Sequence, residues 1–589
     1  MSIMDSFNKI CLMKKIVLAM MALAMTLASC TKFLDVPPSA VLSNDNVTGP
    51  EAVEGLVTAA YASLINDGWN TPFNLWVTQI IRTDDAYKGG SDTNDQGFMH
   101  WLEVSENWNT LINNGTLNNL WVNLYRGVGR CNSALKELNA LDAATAPLKE
   151  TRIGEVKFLR AQYYIRLKIN WNRVPWIDET MDQEAVLAAS NTALSSDELW
   201  AKIFQDCVDA YKVLPEKQAE KGRPTKYAAA AAAAKVALYR ASQLDDQNQL
   251  TGISKERMEE VLQYTQIVLS GPYTLNADFG FNFYPAGDNS PESVWAIQYS
   301  HNDNTMKGRA NIGNGLVWTS KLSGGCDFLK PSQNLVNAFK TTDGIPQFND
   351  FNENSYDFDN PTAYKVDPRL YHTVSMPGVA FKLTYDPSQP NNNMYARDWT
   401  RNESQYGFYA TAKQVVPVND PTICPIPPFQ SCSMNKDDYR LDDVILMRAE
   451  ALVETGKWAD AKDLVNQIRR RAAASTTYFT ENTGVTANYD VRPYTDAEWS
   501  SEAFARQAVR WERRLELAME GWRFFDLVRW GVAADVLNPY FAKEATRIAA
   551  YTDQGKLIAK YDAGDEFLPI PNTQLVLSKG VYVQSWPFK

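Results

Sequence analysis

The chain has 589 residues, a formal net charge of −11 and no run of basic residues, which argues against a nucleic-acid partner. Only 3 histidines accompany 17 tryptophans, 27 tyrosines and 24 phenylalanines, which argues against a metal or catalytic site built on histidine.

The N-terminus has the pattern of an exported, lipid-anchored protein. Lys14 and Lys15 precede the apolar run 16–28, which is shorter than the roughly 20 residues of a membrane-spanning helix and typical of a secretory signal. The segment ends in Leu-Ala-Ser-Cys at residues 27–30, which resembles a bacterial lipobox. We therefore predict a signal peptide over 1–29, acylation of Cys30 and a lipid-anchored tether over 30–49. The alternative is an ordinary signal peptide followed by an incidental cysteine.

Residues 50–270 are predicted to be mainly helical. Apolar residues recur at steps of three or four, as a buried helix face requires, in segments such as 53–64, 120–135 and 156–169. Helix–turn–helix pairs are predicted over 132–164 and 228–269. The seven consecutive alanines of the second pair either let two helices approach closely or only reflect helix propensity.

Residues 271–440 are predicted to form a loop-rich insertion. Gly, Asn, Asp and Pro interrupt short stretches such as Ser293–Tyr299 and Gly407–Lys413, which are typical of strands. Long loops on a rigid scaffold commonly carry binding function. Cys424 and Cys432 bracket a proline-rich loop, and the sequence leaves open whether they form a disulfide.

Residues 441–589 return to a helical pattern. Within Asp442–Ala474 one helix is predicted to end at Gly456, a residue suited to the position after a helix, and a second begins near Trp458. The pair resembles a tetratricopeptide repeat, and such repeats must stack to bury a core. The predicted fold is mainly α: a tetratricopeptide-like helical-repeat scaffold with a long loop-rich insertion carrying a few short strands. Its parts 50–270 and 271–589 are expected to form one intertwined unit.

The most specific stretch is Arg510–Gly531. Thr495 and Glu498 have the spacing of a capping box that would start its helix. Arg523, Asp526 and Arg529 lie three residues apart, where opposite charges meet across one helical turn. We expect an ion-pair network that pins two helices, in preference to a catalytic group.

This stretch closely resembles the C-terminal motif of the SusD/RagB family, the surface glycan-binding lipoproteins of Bacteroidetes nutrient-uptake systems. Further segments match the family in its own order along nearly the whole chain. They are Cys30 with Phe33-Leu34-Asp35, residues 120–132, Asp367-Pro368-Arg369-Leu370, residues 440–456 and Phe567-Leu568-Pro569-Ile570-Pro571.

The resemblance implies a protein that performs no chemistry and needs no cofactor. Such proteins are lipid-anchored in the outer membrane and face the cell exterior. They capture an oligosaccharide or polysaccharide and pass it to a TonB-dependent barrel transporter of the SusC kind. Two alternatives are the same fold with peptide cargo and an exported helical glycoside hydrolase. The hydrolase would need two carboxylates about 5–10 Å apart, and no pair in the sequence identifies itself.

Sugar binding calls for exposed flat aromatics flanked by polar side chains. Residues 69–108 and the loops around Trp318 offer both, and the family's sugar contacts fall in these regions. The predicted platforms are Trp101, Trp108 and Trp318, and the predicted hydrogen-bonding partners are Arg82, Asp84 and Asn109. Each tryptophan could instead belong to the core, because an aromatic side chain buries roughly 150–250 Å². Asp84 with Asp85 could also form a solvated turn or bind Ca²⁺ through oxygen.

Overall fold

The computed structural model describes residues 49–65, 73, 77–144, 146–303, 309–319, 321, 324–379, 381–382, 394–417, 419–426, 429–476 and 487–588. The predicted signal peptide, Cys30 and almost all of the tether lie outside these ranges. The chain divides into two compact units, one ending at Glu54 and the other beginning at Gly55. Among the described helices, none has the length and apolar character needed to cross a membrane.

Helices dominate the described residues. In chain order they are α1 (Pro50–Ala62), α2 (Gly97–Glu103), α3 (Trp108–Leu111), α4 (Gly115–Ala140), α5 (Lys149–Trp171), α6 (Gln183–Ala188), α7 (Ser196–Val213), α8 (Lys226–Ala241), α9 (Lys255–Leu269), α10 (Gln333–Ala338), α11 (Arg369–Thr373), α12 (Glu403–Tyr406), α13 (Leu441–Glu454), α14 (Ala461–Ala474), α15 (Glu502–Leu517), α16 (Arg523–Arg529), α17 (Ala533–Glu544) and α18 (Asn572–Leu577).

The strands are short and pair two by two. They are β1 (Ala86–Gly89), β2 (Ser242–Leu244), β3 (Leu250–Ile253), β4 (Ser293–Ile297), β5 (Phe328–Pro331), β6 (Thr341–Thr342), β7 (Ile345–Pro346), β8 (Lys365–Val366), β9 (Val374–Ser375), β10 (Ala410–Thr411), β11 (Ile423–Ile426), β12 (Phe429–Cys432), β13 (Lys436–Arg440), β14 (Asn488–Tyr489), β15 (Thr552–Asp553) and β16 (Lys556–Leu557). β1 pairs with β5, β4 with β13 and β9 with β10, all antiparallel, whereas β8 and β14 are parallel. The predicted loop-rich insertion with a few short strands is thus confirmed, although only two residues of Gly407–Lys413 form a strand.

The long helices stack in series. α4 packs on α5, α5 on α7, α7 on α8, α8 on α9, α9 on α13, and α13 on both α14 and α15. This arrangement confirms the predicted helical-repeat scaffold, and Gly456 follows α13 with φ +84°, as predicted for a residue after a helix. The run Ala228–Ala234 in α8 is fully buried, so its small side chains do form a close-packed helix surface.

Helix α5 is buried over most of its length. Every residue from Gly154 to Trp171 except Lys157 is buried, so its charged side chains need internal partners. Arg160 contacts Asp206 at 2.7 Å, and Arg166 forms an ion pair with Asp438 of β13, with both side chains wholly buried. The second pair joins the helical stack to the loop-rich insertion.

The N-terminus of α15 differs from the prediction. Thr495 and Glu498 do exchange capping-box hydrogen bonds, with Glu498 Oε2 accepting from Thr495 N at 2.8 Å. However, this turn ends before Glu502, and the Ser501 side chain caps α15 by accepting from Phe504 N at 3.2 Å. The prediction that Thr495 starts the helix was wrong because a nearer N-cap follows it.

Cys424 and Cys432 are both free thiols. In the β11–β12 hairpin Cys424 pairs with Ser431 and Cys432 pairs with Ile423, the neighbour of Cys424. Adjacent residues of a strand point to opposite faces, so the two thiols are not opposed. The structure therefore decides the open question against a disulfide.

Helix α15 carries four buried charges within five positions: Glu512, Arg513, Arg514 and Glu516, each at most 3% exposed. Successive helical residues point about 100° apart, so these side chains reach different parts of the protein. Arg369 of α11 lies 2.7 Å from Glu512 and 2.8 Å from Glu516. α15 thereby holds the insertion to the C-terminal helices.

The two arginines of α15 bind other segments. Arg513 contacts Asp443 of α13 and Asp526 of α16, each at 3.0 Å. Arg514 contacts Asp84 at 2.9 Å and Asp85 at 3.0 Å, which ties the helix to the N-terminal region.

The predicted network at Arg523, Asp526 and Arg529 is confirmed. Asp526 lies 2.8 Å from Arg529 across one turn of α16, and Arg523 lies 2.9 Å from Asp84. Arg529 also pairs with Glu450 of α13, and Asp526 pairs with an arginine of α15, so these charges hold α16 to two other helices.

Three buried carboxylates also converge, with one oxygen of each within 4.8 Å of the others: Glu292, Asp442 and Glu516. Arg471 lies 3.1 Å from Glu292, and Arg440 lies 3.0 Å from Asp442. Burial, opposed by Arg440 and reinforced by Glu292, raises the pKa of Asp442 well above its ordinary value. Guanidinium groups thus supply the positive charge in this cluster.

Replacing Arg514 with Met should lower the free energy of unfolding by about 3–5 kcal/mol, because Asp85 would remain buried without its cation. Adding Asp85→Asn should recover much of this loss. Lys457→Met, which breaks the exposed 2.7 Å pair with Glu259, is the control and should cost at most about 1 kcal/mol. Urea unfolding at pH 7 measures all three, and equal losses for Arg514→Met and Lys457→Met would contradict the account.

Candidate functional site

Arg82 and Asp84, predicted to contact a sugar, are buried and engaged inside the protein. They are 3% and 2% exposed. Burial alone would raise the pKa of Asp84, but Arg514 and Arg523 hold it at about 2. Arg82 donates to the backbone oxygen of Asp565 and lies 4.1 Å from the ring centre of Phe524.

These contacts correct the prediction for both residues, whose side chains stabilise the fold. They also argue against Ca²⁺ at Asp84 and Asp85, because arginines already neutralise the two carboxylates.

Trp101, Trp108 and Asn109 lie on the short helices α2 and α3 and retain exposed surface. Asn109 is exposed, and both indoles are half-buried. The Trp108 ring centre lies 5.1 Å from that of Phe588 and 5.8 Å from the Arg82 guanidinium carbon. Of the predicted set, the structure therefore brings Arg82 and Trp108 together beside the C-terminus. Sugar stacking on Trp101 and Trp108 remains a prediction.

Trp318 is only 3% exposed, which corrects its prediction as an open platform. Its backbone oxygen accepts from Asp327 N at 3.0 Å, and the chain at Gly325 lies so close that a Cβ there would be 2.1 Å from that oxygen. The backbone of Trp318 thus joins the loop to the residue that precedes β5, whereas its indole Nε1 is buried and makes no hydrogen bond among the described residues.

A recessed pocket of about 80 Å³ lies beside the 3₁₀ turn Ile312–Leu316, which leads to Trp318. We call it the amide pocket, because carboxamide side chains recur in its lining. The polar lining residues are Asn282, Asn311, Asn314, Lys413, Gln414, Asn435, Lys436, Asp437, Arg440 and Glu520, and the apolar ones are Ile80, Phe283, Met434 and Met519.

Six separate segments of the chain line this pocket, and hydrogen bonds hold three of its sides. The 3₁₀ turn is held by a hydrogen bond from Asn311 N to Cys432 O at 2.9 Å. Arg440, the last residue of β13, donates through Nη2 to both carboxylate oxygens of Glu520 at 2.9 Å. Gln414 donates to the Met519 backbone oxygen, which fixes the third side. The walls are therefore in place without a ligand.

Two polar atoms of the lining side chains lack a hydrogen-bond partner among the described residues. They are Oδ1 of Asn314 and Nη1 of Arg440, on side chains whose residues are 5% and 4% exposed. An unpaired buried donor or acceptor costs about 1–3 kcal/mol, so a small shift that brings either atom to the pocket surface and to a polar partner is favourable. A sugar hydroxyl suits both atoms, because it can accept from a guanidinium and donate to an amide oxygen.

The charges of the pocket are largely neutralised from within. Glu520 contacts Arg440 at 2.9 Å and Lys413 at 2.7 Å. Asp437 accepts from the Ser293 hydroxyl, and burial raises its pKa to about 6. The lining thus suits a neutral polar ligand better than an ion.

Sequence reasoning did not single out this pocket. Arg440 and Glu520 both lie in segments recognised by their pattern, but the amides come from stretches that looked like ordinary loops. The frequency of asparagine around residues 282–314 was the one available signal.

Comparison with known proteins gives consistent matches. The family model described as SusD family matches residues 291–587, and one described as "Starch-binding associating with outer membrane" matches residues 32–238. A curated SusD-like protein of Formosa agariphila is 23% identical over 528 residues, covering 87% of this chain and 88% of its own.

Solved structures share the fold. A SusD superfamily protein from Bacteroides vulgatus aligns with TM-score 0.66 at 20% identity, covering 92% of this chain and 99% of its own. Surface glycan-binding protein A from Bacteroides thetaiotaomicron, in complex with laminarihexaose, aligns with TM-score 0.63 at 20% identity, covering 91% and 100%.

Asp437→Asn should gain stability relative to the natural chain as pH rises. The folded protein keeps the Asp437 proton up to about pH 6, whereas the unfolded chain releases it near the ordinary value of 3.8. The contribution of this group to the free energy of unfolding of the natural chain therefore falls as the pH rises from about 4 to 6. The amide of Asp437→Asn does not titrate, so the variant has no such loss. Unfolding of both proteins across this range measures the difference, and a pH-independent difference would contradict the raised pKa.

Proposed function

Because the chain belongs to the SusD family, we propose that it binds oligosaccharides or polysaccharides at the cell surface and performs no chemistry on them. The amide pocket takes the hydroxyl-bearing edge of a sugar residue. The observation that carries this assignment is that two atoms of lining side chains, Asn314 Oδ1 and Arg440 Nη1, form no hydrogen bond among the described residues, although Arg440 Nη1 lies 4.0 Å from Glu292.

The chemistry of the pocket supports a sugar. Its carboxamides both donate and accept hydrogen bonds, as sugar hydroxyls do. Apolar side chains such as Phe283 and Met519 lie in the same lining and offer contact to C–H groups. The internal pairing of Glu520 with Arg440 and Lys413 leaves no strong charge for a ligand to neutralise.

The names of the relatives support the same ligand class. One solved neighbour is described as a surface glycan-binding protein in complex with laminarihexaose, and one matching family as starch-binding. We therefore choose glucose oligomers as first probes, with peptides as the alternative cargo.

Hydrolysis is not part of the proposal, although two carboxylates, Asp437 and Glu520, line the pocket. A glycoside hydrolase needs one carboxylic acid and one free carboxylate on either side of the cleaved bond. Glu520 is already bound by Arg440 and Lys413, and Asp437 accepts from Ser293. Both groups therefore help to hold the pocket together.

The cellular setting follows from the N-terminus and the family. We propose a lipid on Cys30, outward orientation on the outer membrane and delivery of the glycan to a SusC-like TonB-dependent transporter. The family description "associating with outer membrane" supports the location. An acylated cysteine would anchor the chain without a membrane-spanning helix, provided that more than one acyl chain is attached.

Laminarihexaose and maltohexaose are the two probes, and Asn314→Ala should weaken binding of whichever one binds the natural chain. The expected loss is about tenfold, because one hydrogen bond to the ligand is removed. Isothermal titration of the purified chain with laminarihexaose and maltohexaose gives the affinity. Asn349→Ala, at an exposed asparagine outside the pocket, is the matched control and should bind as the natural chain does.

If Asn314→Ala bound the hexaose with full affinity, the amide pocket would not be the sugar-binding site. If the chain bound peptides and neither hexaose, its cargo would be peptide. New reducing ends during incubation with the hexaoses would show hydrolysis and overturn the binding-only function.

A further inference from the structure

A second, larger cleft of about 230 Å³ lies beside the C-terminal tail, residues 581–588. We call it the tail cleft. Ser585 and Trp586 line it from the tail, Asn172 and Arg173 from the end of α5, and Asp246 and Asn248 from the turn between β2 and β3. It shares no lining residue with the amide pocket.

Side chains hold the tail in place as a neighbouring strand would. Asn191 donates to Val583 O and accepts from Val583 N, both at 2.9 Å. The Gln584 side chain makes the same pair of bonds with the backbone of Ile570, also at 2.9 Å. The cleft is therefore formed in advance, which lowers the ordering cost of binding a ligand.

The polar groups of the cleft are balanced in charge. Asn172 Nδ2 donates to Asn248 Oδ1 at 3.0 Å, and Arg173 pairs with Asp246 at 2.8 Å. The Asp246 side chain is 94% exposed, so its carboxylate can accept further hydrogen bonds. Such a lining suits a neutral ligand rich in hydroxyl groups.

Two features of the tail point to an occupant. Ser585 Oγ is buried and has no hydrogen-bond partner among the described residues. Trp586 is only half-buried, although a large indole normally gains from full burial. Gly564, at φ +109°, lets the tail approach closely, since a Cβ there would lie 2.5 Å from Pro587 and 3.2 Å from Trp586. This contact fixes the indole beside the cleft.

We propose that the tail cleft is a second carbohydrate-binding site, which takes one neutral sugar residue. The C–H face of the sugar stacks on Trp586, and its hydroxyls bond to Asp246 and Arg173, and to Ser585 Oγ after rotation of that side chain brings the hydroxyl to the cleft surface. The tail continues to Phe588, which packs on the half-exposed Trp108, so a second aromatic surface lies at the far end of the same tail.

The test uses ¹⁹F spectra of the full chain, purified in detergent and labelled with 5-fluorotryptophan. The resonance that is missing in Trp586→Phe identifies Trp586. Laminarihexaose and maltohexaose are titrated to millimolar concentration into the natural chain and into Asn314→Ala. We expect one of them to shift the Trp586 resonance in both proteins, because the tail cleft does not depend on the amide pocket.

Asp246→Ala should move the midpoint of this shift about tenfold higher, since one charge-assisted hydrogen bond is lost. Asn349→Ala, outside both sites, should leave it unchanged. A Trp586 resonance that neither hexaose moves, or that moves only with peptides, would overturn the proposal. A shift that disappears in Asn314→Ala would also overturn it, because the two sites would then be one.

Discussion

The buried charges on α15 require neutralising partners from distant parts of the chain, and these partners determine how the other segments pack around the helix. A charge inside a protein costs several kcal/mol unless a partner of opposite sign lies against it. Glu512, Arg513, Arg514 and Glu516 can meet this requirement only when the segments bearing Arg369, Asp443, Asp85 and Arg471 lie around the helix. The ion pairs therefore specify which distant parts of the chain come together.

The same network determines the shape of the amide pocket. Arg440 contacts Asp442 inside the network and donates to Glu520 at the pocket. Glu520 in turn binds Lys413, whose ammonium also donates to the backbone oxygen of Glu516 at 3.0 Å. The pocket walls are thus fixed by charges in the core, and a ligand meets preformed donors and acceptors.

The fold could be predicted largely from the sequence, whereas the site could not. Periodicity placed the helices around Ala228–Ala234 and Gly456 because burial of one helix face is a local property. The role of Asp84 could not be predicted from its neighbours in the sequence. Its partner Arg523 lies 439 residues away, so an aspartate next to an arginine and aromatics looked like a sugar contact. The burial of Trp318 could not be predicted either, because it accompanies the close approach of Gly325 to its backbone, which a local pattern does not show.

Whether Asn314 and Arg440 bind sugar hydroxyls in the amide pocket can be seen in a crystal structure of the chain with its bound hexaose. We expect one sugar residue in the pocket, with hydroxyls within hydrogen-bond distance of Asn314 Oδ1 and Arg440 Nη1. An amide pocket filled only by water, while the hexaose occupies another surface, would contradict this expectation.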